Sequence, residues 1–342
     1  MHQIKVLIVE DSLVFQQLLA ENLEQDPSIQ VVAVGTDPIE AFDAIRKYKP
    51  DVMTLDIELP KMNGLEFLHK LIPQHPLPVV VISARSEKVF EALSAGAVDF
   101  IAKPSVTDRQ QLIDFVHEEL LQKIKDVSMA KVGKTGRVVI PQSDCPVLEK
   151  NKNLVVAIGA SIGGSEAVTS VIQGFGPDVP GVVVVQNMPQ GFTELYAERL
   201  NAMCSVNVRE AKTGDVIRQG QVYIAPGGDT HTRIVKVDGE YQIVCRKGEK
   251  VNGHCPSVDV LFQSVAEVAG KNAIGIILTG TGKDGAQGLL AMRREGARTI
   301  GQDESTSVVY GMPKAAFDVN AVEYQEKLSD IARRTYSLLD TF

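Results

Sequence analysis

Ser161 stands in Gly159-Ala-Ser161-Ile-Gly163, a G-x-S-x-G word. The run before it, Leu154 to Ile158, has strand composition, and a helical pattern starts near Ser165. In a strand–turn–helix setting this word presents a serine at the top of an α/β sheet. The glycines allow a sharp turn and close backbone approach, and the amides opening the helix can hold a developing negative charge. A tight turn with an idle serine has the same spacing, so the word alone does not decide. A second reactive set lies earlier. Glu10, Asp11 and Asp56 each follow or end a short apolar run, and Ser83 and Lys103 do the same further on. Three carboxylates at close quarters repel one another unless a hard cation joins them, and Mg²⁺ prefers such oxygens. Ser83 and Lys103 could bind the oxygens of a phosphoryl group carried on Asp56.

These residues need elements to bring them together. Strands are expected over Ile4 to Val9, Gln30 to Val34, Val52 to Leu55, Val79 to Ser83 and Phe100 to Lys103. Helical patterns over Ser12 to Gln25, Pro38 to Lys47 and Asp108 to Lys123 alternate with them. That rhythm predicts a parallel sheet with helices on both faces, and such sheets place their sites at the carboxyl ends of the strands. Five suitable residues at strand ends argue against a merely solvated acidic rim. About Asp126 to Lys152 reads as an exposed linker, with Val138-Val139-Ile140 as a short apolar patch in it. The expected division is therefore residues 1–125, a linker over 126–152, and a second domain over 153–342.

In the second domain, strands are expected over Gly181 to Val185, Gln221 to Ala225, His231 to Val237, Tyr241 to Arg246 and Ala273 to Leu278. Helices are expected over Ser165 to Gln173, Phe192 to Met203, Val258 to Ala269 and Gly288 to Glu295, and Asp238-Gly239 is a hairpin turn. This is again α/β, with an inserted β-hairpin. A dinucleotide site is rejected: its fingerprint needs glycine where Ser161 stands, and the second strand ends in Gln186-Asn187 rather than an acidic residue. What remains is hydrolase-like, with Ser161 at one strand end and Asp284 in a glycine-rich loop at another. A serine triad also needs a base for the Ser161 proton and a carboxylate to orient it.

The whole chain bounds the reading. With 342 residues, 44% hydrophobic and 23% charged, it is long enough for two cores. A net charge of -8 argues against a broad nucleic-acid surface. No apolar run approaches the ~20 residues of a membrane span. The N-terminus heads straight into a strand, so no signal peptide is expected. Cys145, Cys204, Cys245 and Cys255 form no C-x-x-C pair and fit reduced thiols in a cytoplasmic protein.

The first half resembles the receiver domain of bacterial response regulators, a flavodoxin-like (βα)5 fold. Glu10-Asp11 matches the acidic pair and Asp56-Ile-Glu-Leu-Pro-Lys-Met-Asn-Gly64 the phosphoacceptor loop. Ser83-Ala84 matches the switch hydroxyl and Lys103-Pro104 the terminal lysine, whose following peptide is usually cis. The resemblance implies phosphorylation of Asp56 by a histidine kinase, with Mg²⁺ held by Glu10, Asp11, Asp56 and the backbone carbonyl of Glu58. It also implies that Phe100 is the aromatic that rotates as Ser83 engages the phosphate. Glu10 stands where aspartate is common, and its longer side chain should still reach the metal.

The second half resembles the catalytic domain of the chemotaxis protein-glutamate methylesterases of CheB type. It carries Ala157-Ile-Gly-Ala-Ser161-Ile-Gly-Gly164, Gly191-Phe-Thr193, Tyr223-Ile-Ala-Pro-Gly227, Pro256-Ser-Val-Asp-Val-Leu-Phe262, Ile277-Leu-Thr-Gly280, Asp284-Gly285 and Gly311-Met-Pro313. The resemblance implies hydrolysis of glutamyl methyl esters, and deamidation of glutamines, on the cytoplasmic helices of methyl-accepting chemoreceptors. It implies no cofactor for the hydrolase site, no membrane insertion, and a receiver that occludes Ser161 until Asp56 is phosphorylated. One position breaks the pattern. The family triad takes its histidine from Gln-His-Met-Pro, and here that position is Asn187. Asparagine cannot accept and return a proton near neutral pH. Ile162, Thr281 and Lys283 also depart from the usual family words. His231 and His254 are read as substrate-lining or structural rather than as a replacement base, and Lys283 as a surface lysine. Two functions follow: a phosphorylation-activated methylesterase and deamidase using Ser161 and Asp284, or a catalytically impaired homologue acting as a receptor-binding phosphoryl switch.

Overall fold

The computed structural model describes residues 3–59, 62–84, 86–104, 108–132 and 153–342. The chain divides into two compact units, Met1–Gly136 and Arg137–Phe342. In the first, strands β1 (Ile4–Val9), β2 (Ile29–Gly35), β3 (Val52–Asp56), β4 (Val79–Ser83) and β5 (Asp99–Ala102) alternate with helices α1 (Leu13–Leu23), α2 (Pro38–Tyr48), α3 (Gly64–Leu71), α4 (Ser86–Ser94) and α5 (Arg109–Phe115). The sheet is parallel in the order β2-β1-β3-β4-β5. Helices cover both faces, so β3 and β4 are mostly apolar and buried along their whole length, with Asp56 and Ser83 at their carboxyl ends. The helix starts are written locally. Ser12 caps α1, and the Asp37 carboxylate accepts from the amides of Ile39 and Glu40 ahead of Pro38.

The last helix of this unit does not stop near Lys123. After α5 it widens into a π turn over Val116–Leu120 and continues as α6 (Leu121–Ser128). Burial of Leu120, Ile124 and Val127 on one face carries it past the expected end. Residues 133–152 of the expected linker, with Cys145 and Val138-Val139-Ile140, lie outside the described residues, as do Pro60 and Lys61 of the phosphoacceptor loop.

The second unit is built on seven parallel strands. These are β6 (Val155–Ala160), β7 (Gly181–Gln186), β8 (Asn207–Glu210), β9 (Gln221–Ile224), β12 (Ala273–Ile277), β13 (Arg298–Gln302) and β14 (Tyr324–Glu326), in the order β14-β13-β12-β6-β7-β9-β8. A separate antiparallel hairpin, β10 (Thr230–Val237) with β11 (Glu240–Lys247), turns at Asp238-Gly239. Six helices flank the sheet: α7 (Gly164–Gln173), α8 (Phe192–Met203), α9 (Val258–Ala269), α10 (Ala286–Arg294), α11 (Met312–Asp318) and α12 (Ile331–Leu339). Val155, Val183, Tyr223, Phe262, Leu289 and Met292 pack in one fully buried cluster between strands and helices. Full burial of such side chains contributes about 1.5–3 kcal/mol each. In each sheet the first strand lies inside and the chain builds outward from it in both directions. That creates a switch point between β1 and β3 in the first unit and between β6 and β12 in the second, where such sheets form their crevice.

Candidate functional site

In the first unit the switch point gathers the carboxylates. Leu55 on β3 pairs with Val9 on β1, so Asp56 and Glu10 emerge side by side. Glu10 and Asp56 are 1% and 6% exposed, whereas Asp11 is exposed. One oxygen from each lies within 4.8 Å of the others. Lys103, one residue beyond β5, donates from Nζ to both Glu10 oxygens at 2.9 Å and to Asp56 Oδ2 at 2.6 Å. That uses all three ammonium protons. Burial pulls the Lys103 pKa down, but the bonds to Asp56 and Glu10 outweigh it and the net direction is up. Burial also pushes Glu10 up to about 7, against the pull of Lys103. One ammonium therefore faces three carboxylates, and the pocket keeps an excess of negative charge on hard oxygen donors. This donor set fits a divalent cation, and the cluster matches the Mg²⁺-coordinating pocket of receiver domains.

The remaining first-unit residues fall around this pocket. Ser83 ends β4, fully buried, and its carbonyl accepts from the Lys103 amide at 2.9 Å. Glu58 donates its amide to Asp56 Oδ1 at 2.8 Å. Phe100 is buried on β5 with its ring edge-on to Phe90 at 6.2 Å. The cis peptide among the described residues is Cys255–Pro256, not the bond after Lys103.

In the second unit Ser161 follows β6 at the switch point and is 7% exposed. The turn is held from three sides. Its amide donates to Thr279 O at 3.0 Å, its carbonyl accepts from Gly164 N at 2.8 Å, and the Thr279 hydroxyl bonds Ile162 O at 3.0 Å. Gly163 caps α7 with φ +70, where a Cβ would stand 2.7 Å from the Val308 side chain. The opening turn of α7 sets its positive end beside the serine. Ala160 pairs with Gln186 across β6 and β7, so Ser161 and Asn187 emerge level. Asn187 Nδ2 donates to Ser161 Oγ at 3.4 Å, while its Oδ1 is buried without a hydrogen-bond partner among the described residues. The hydroxyl thus receives a proton donor where a hydrolase serine needs an acceptor.

Asp284 is 1% exposed, and its hydrogen bonds run elsewhere. Oδ1 accepts from Ser257 Oγ at 2.7 Å, Asn252 Nδ2 at 3.0 Å and Asp259 N at 3.2 Å; Oδ2 accepts from Val258 N at 2.7 Å. Val258 and Asp259 open α9, whose own N-cap Ser257 makes no side-chain cap bond. Asp284 therefore caps α9 from a distant loop. The structure brings Ser161 and Asn187 into hydrogen-bond contact; Asp284 joins neither of them by such a bond among the described residues. His231 accepts from Ser257 N on Nδ1 at 3.1 Å and faces Glu249 O with Nε2 at 2.8 Å. A carbonyl only accepts, so the proton sits on Nε2 and both nitrogens are committed. His254 lies across the tight turn from Val251, and Lys283 is exposed. Sequence reasoning missed Gln186, Asn252, Ser257 and Thr279 as parts of the site. Only the position of Gln186 and Thr279 at strand ends could have flagged them.

Comparison with known proteins agrees with this geometry. The sequence pattern described as CheB methylesterase matches residues 156–335, and that described as response regulator receiver domain matches residues 6–117. A Syntrophomonas wolfei protein-glutamate methylesterase/protein-glutamine glutaminase 2 is 53% identical over 342 residues, covering 99% of each chain. A Syntrophotalea carbinolica protein-glutamate methylesterase/protein-glutamine glutaminase is 46% identical over 347 residues, covering 98% of each. The crystal structure of the Thermotoga maritima CheB methylesterase catalytic domain superposes with a TM-score of 0.53 at 35% identity, covering 54% of this chain and 98% of that one. A receiver half and a serine-bearing α/β half, matched end to end, make this chain a member of the CheB-type protein-glutamate methylesterase/protein-glutamine glutaminase family.

Proposed function

We propose that this protein hydrolyses glutamate methyl esters, and deamidates glutamines, on the cytoplasmic helices of chemoreceptors, and that phosphorylation of Asp56 raises this activity. The observation that supports it is Ser161, buried on its G-x-S-x-G turn at the sheet's switch point, in hydrogen-bond reach of the position where the family has histidine. Ser161 Oγ attacks the side-chain carbonyl while a base other than Asn187 takes its proton, and the amides opening α7 receive the oxyanion; methanol or ammonia leaves with that proton, and water then hydrolyses the acyl-enzyme to free Ser161. Asp284 is the triad carboxylate and Asn187 occupies the place of the base. In the receiver, Asp56 takes a phosphoryl group from the chemotaxis histidine kinase. Glu10, Asp11, Asp56 and the Glu58 carbonyl would hold Mg²⁺, which would supply positive charge beside the phosphoryl oxygens. Ser83 and Lys103 bind those oxygens, and Phe100 follows Ser83. The receiver runs to the end of α6 at Ser128, the linker follows as far as residue 152, and the catalytic domain spans 153–342. The protein acts in the cytoplasm, without nucleic acid or membrane insertion.

One observation favours the second reading. The amide of Asn187 donates to Ser161 Oγ and cannot take its proton. With that pairing, the chain binds receptor helices and accepts phosphoryl groups with little turnover. Methanol release from methylated receptor fragments, with a phosphoryl mimic present, separates the two. Release that Ser161→Ala abolishes supports the esterase, and equal residual rates in parent and Ser161→Ala leave only the switch.

A further inference from the structure

We propose that Gln186 is a positioning residue that fixes the nucleophile turn against position 187. This inference rests on the pairing of Ser161 with position 187 that the proposed function uses. Gln186 is the last residue of β7 and is buried. Its Nε2 donates to the Ser161 carbonyl at 2.9 Å and to the Asn187 carbonyl at 3.3 Å. One planar NH₂ group thus ties together the backbones of the two residues whose side chains must meet. The Ser161 carbonyl already accepts from Gly164 N at 2.8 Å, so Gln186 fills its second lone pair. Two carbonyls on one side require the NH₂ there, which fixes the carboxamide orientation. The Oε1 end then lies against the first residue of α7, where it has no hydrogen-bond partner among the described residues. A Cβ on Gly164 would stand 2.1 Å from that oxygen. Gly164 is the residue that lets Gln186 seat.

The test uses the full chain with ¹⁵N-labelled asparagine and reads the side-chain amide protons of Asn187. Gln186→Met keeps the length and loses the donors; Gly164→Ala keeps the glutamine but sets a Cβ against its Oε1 and, at 2.7 Å, against Ala160 Cβ. Both variants are expected to shift the Asn187 amide signals and speed their solvent exchange about tenfold, the scale of one lost hydrogen bond. A merely space-filling Gln186 predicts no change in Gln186→Met, and that result overturns the proposal. Ser161→Ala separates the premises. If it moves the Asn187 signals and neither other variant does, positioning by Gln186 is wrong. If none of the three moves them, the Ser161–Asn187 pair is wrong as well, and the proposal falls with it.

Discussion

Asn187→His is the perturbation that weighs the site most directly. Asn187 Nδ2 already reaches Ser161 Oγ at 3.4 Å, so an imidazole there starts within one rotamer adjustment of the hydroxyl. In serine proteases, loss of the triad histidine alone costs about 10⁶ in turnover, and loss of the aspartate alone about 3 × 10⁴. A histidine without effective carboxylate support should therefore recover only about 10²-fold, and a fully supported one about 10⁶-fold. Asp284 decides between these limits. Its Oδ1 carries three hydrogen bonds and its Oδ2 one, from Val258 N, which leaves a lone pair on Oδ2 for an imidazole N–H. We expect recovery toward the upper limit in methanol release from methylated receptor fragments with a phosphoryl mimic. The activity should rise with pH through about 6.5 as the imidazole loses its proton. Gains near the lower limit would mean that the α9 cap holds Asp284 out of reach. No gain at all would refute the reasoning that only the base is missing and turn attention to Ile162, Thr281 and Lys283.

Asp284→Ala should destabilise the catalytic unit by about 1–3 kcal/mol, because the amides of Val258 and Asp259 lose their cap. Thermal melting checks this, and an unchanged midpoint would show that α9 is held without it. Asp56→Asn should take up no phosphate from a histidine kinase, and removing Mg²⁺ with a chelator should stop uptake by the parent. Undiminished ³²P transfer in either case would remove Asp56 or the metal from the scheme. Hydrogen bonds from Lys125 and from Ser28 hold the Asp26 carboxyl down at about 2. The folded pKa lies below the unfolded value of about 3.9, so this stabilisation is complete above that value and is lost as pH falls toward 2. Asp26→Asn should flatten the acid limb of the stability curve between those values, and an identical limb in both proteins would dismiss the pair.

What the sequence made legible follows from how each feature is encoded. Strands β1, β4 and β7 are apolar runs buried on both faces, and their ends carry Glu10, Ser83 and Asn187, so composition alone marks both crevices. The edge strands β8 and β14 read Asn-Val-Arg-Glu and Tyr-Gln-Glu and are mostly solvated, which leaves little signal to find. The partners of Asp284 are equally hidden. Asn252, Ser257 and Val258 lie far from it in the chain and meet it only because α9 and the loop after β12 pack at the same sheet edge. The identity of residue 187 was legible; which way its amide points depends on the Ser161 hydroxyl and the Gln186 staple.

The α9 cap also bears on how a triad can be lost piecemeal. A carboxylate whose only partner is a catalytic histidine becomes an unpaired buried charge once that histidine is gone, and such a charge is costly. Asp284 escapes that cost, since four donors satisfy it with Asn187 in place. Ser161 escapes it too, as a neutral hydroxyl that accepts a hydrogen bond from the Asn187 side-chain amide. The fold therefore tolerates loss of the base without strain at either remaining residue. The presence of Asp284 is then explained by its cap of α9 alone and is weak evidence for turnover. At position 187 itself, a restored base meets the Ser161 hydroxyl directly, since the Asn187 side chain already lies 3.4 Å from Ser161 Oγ.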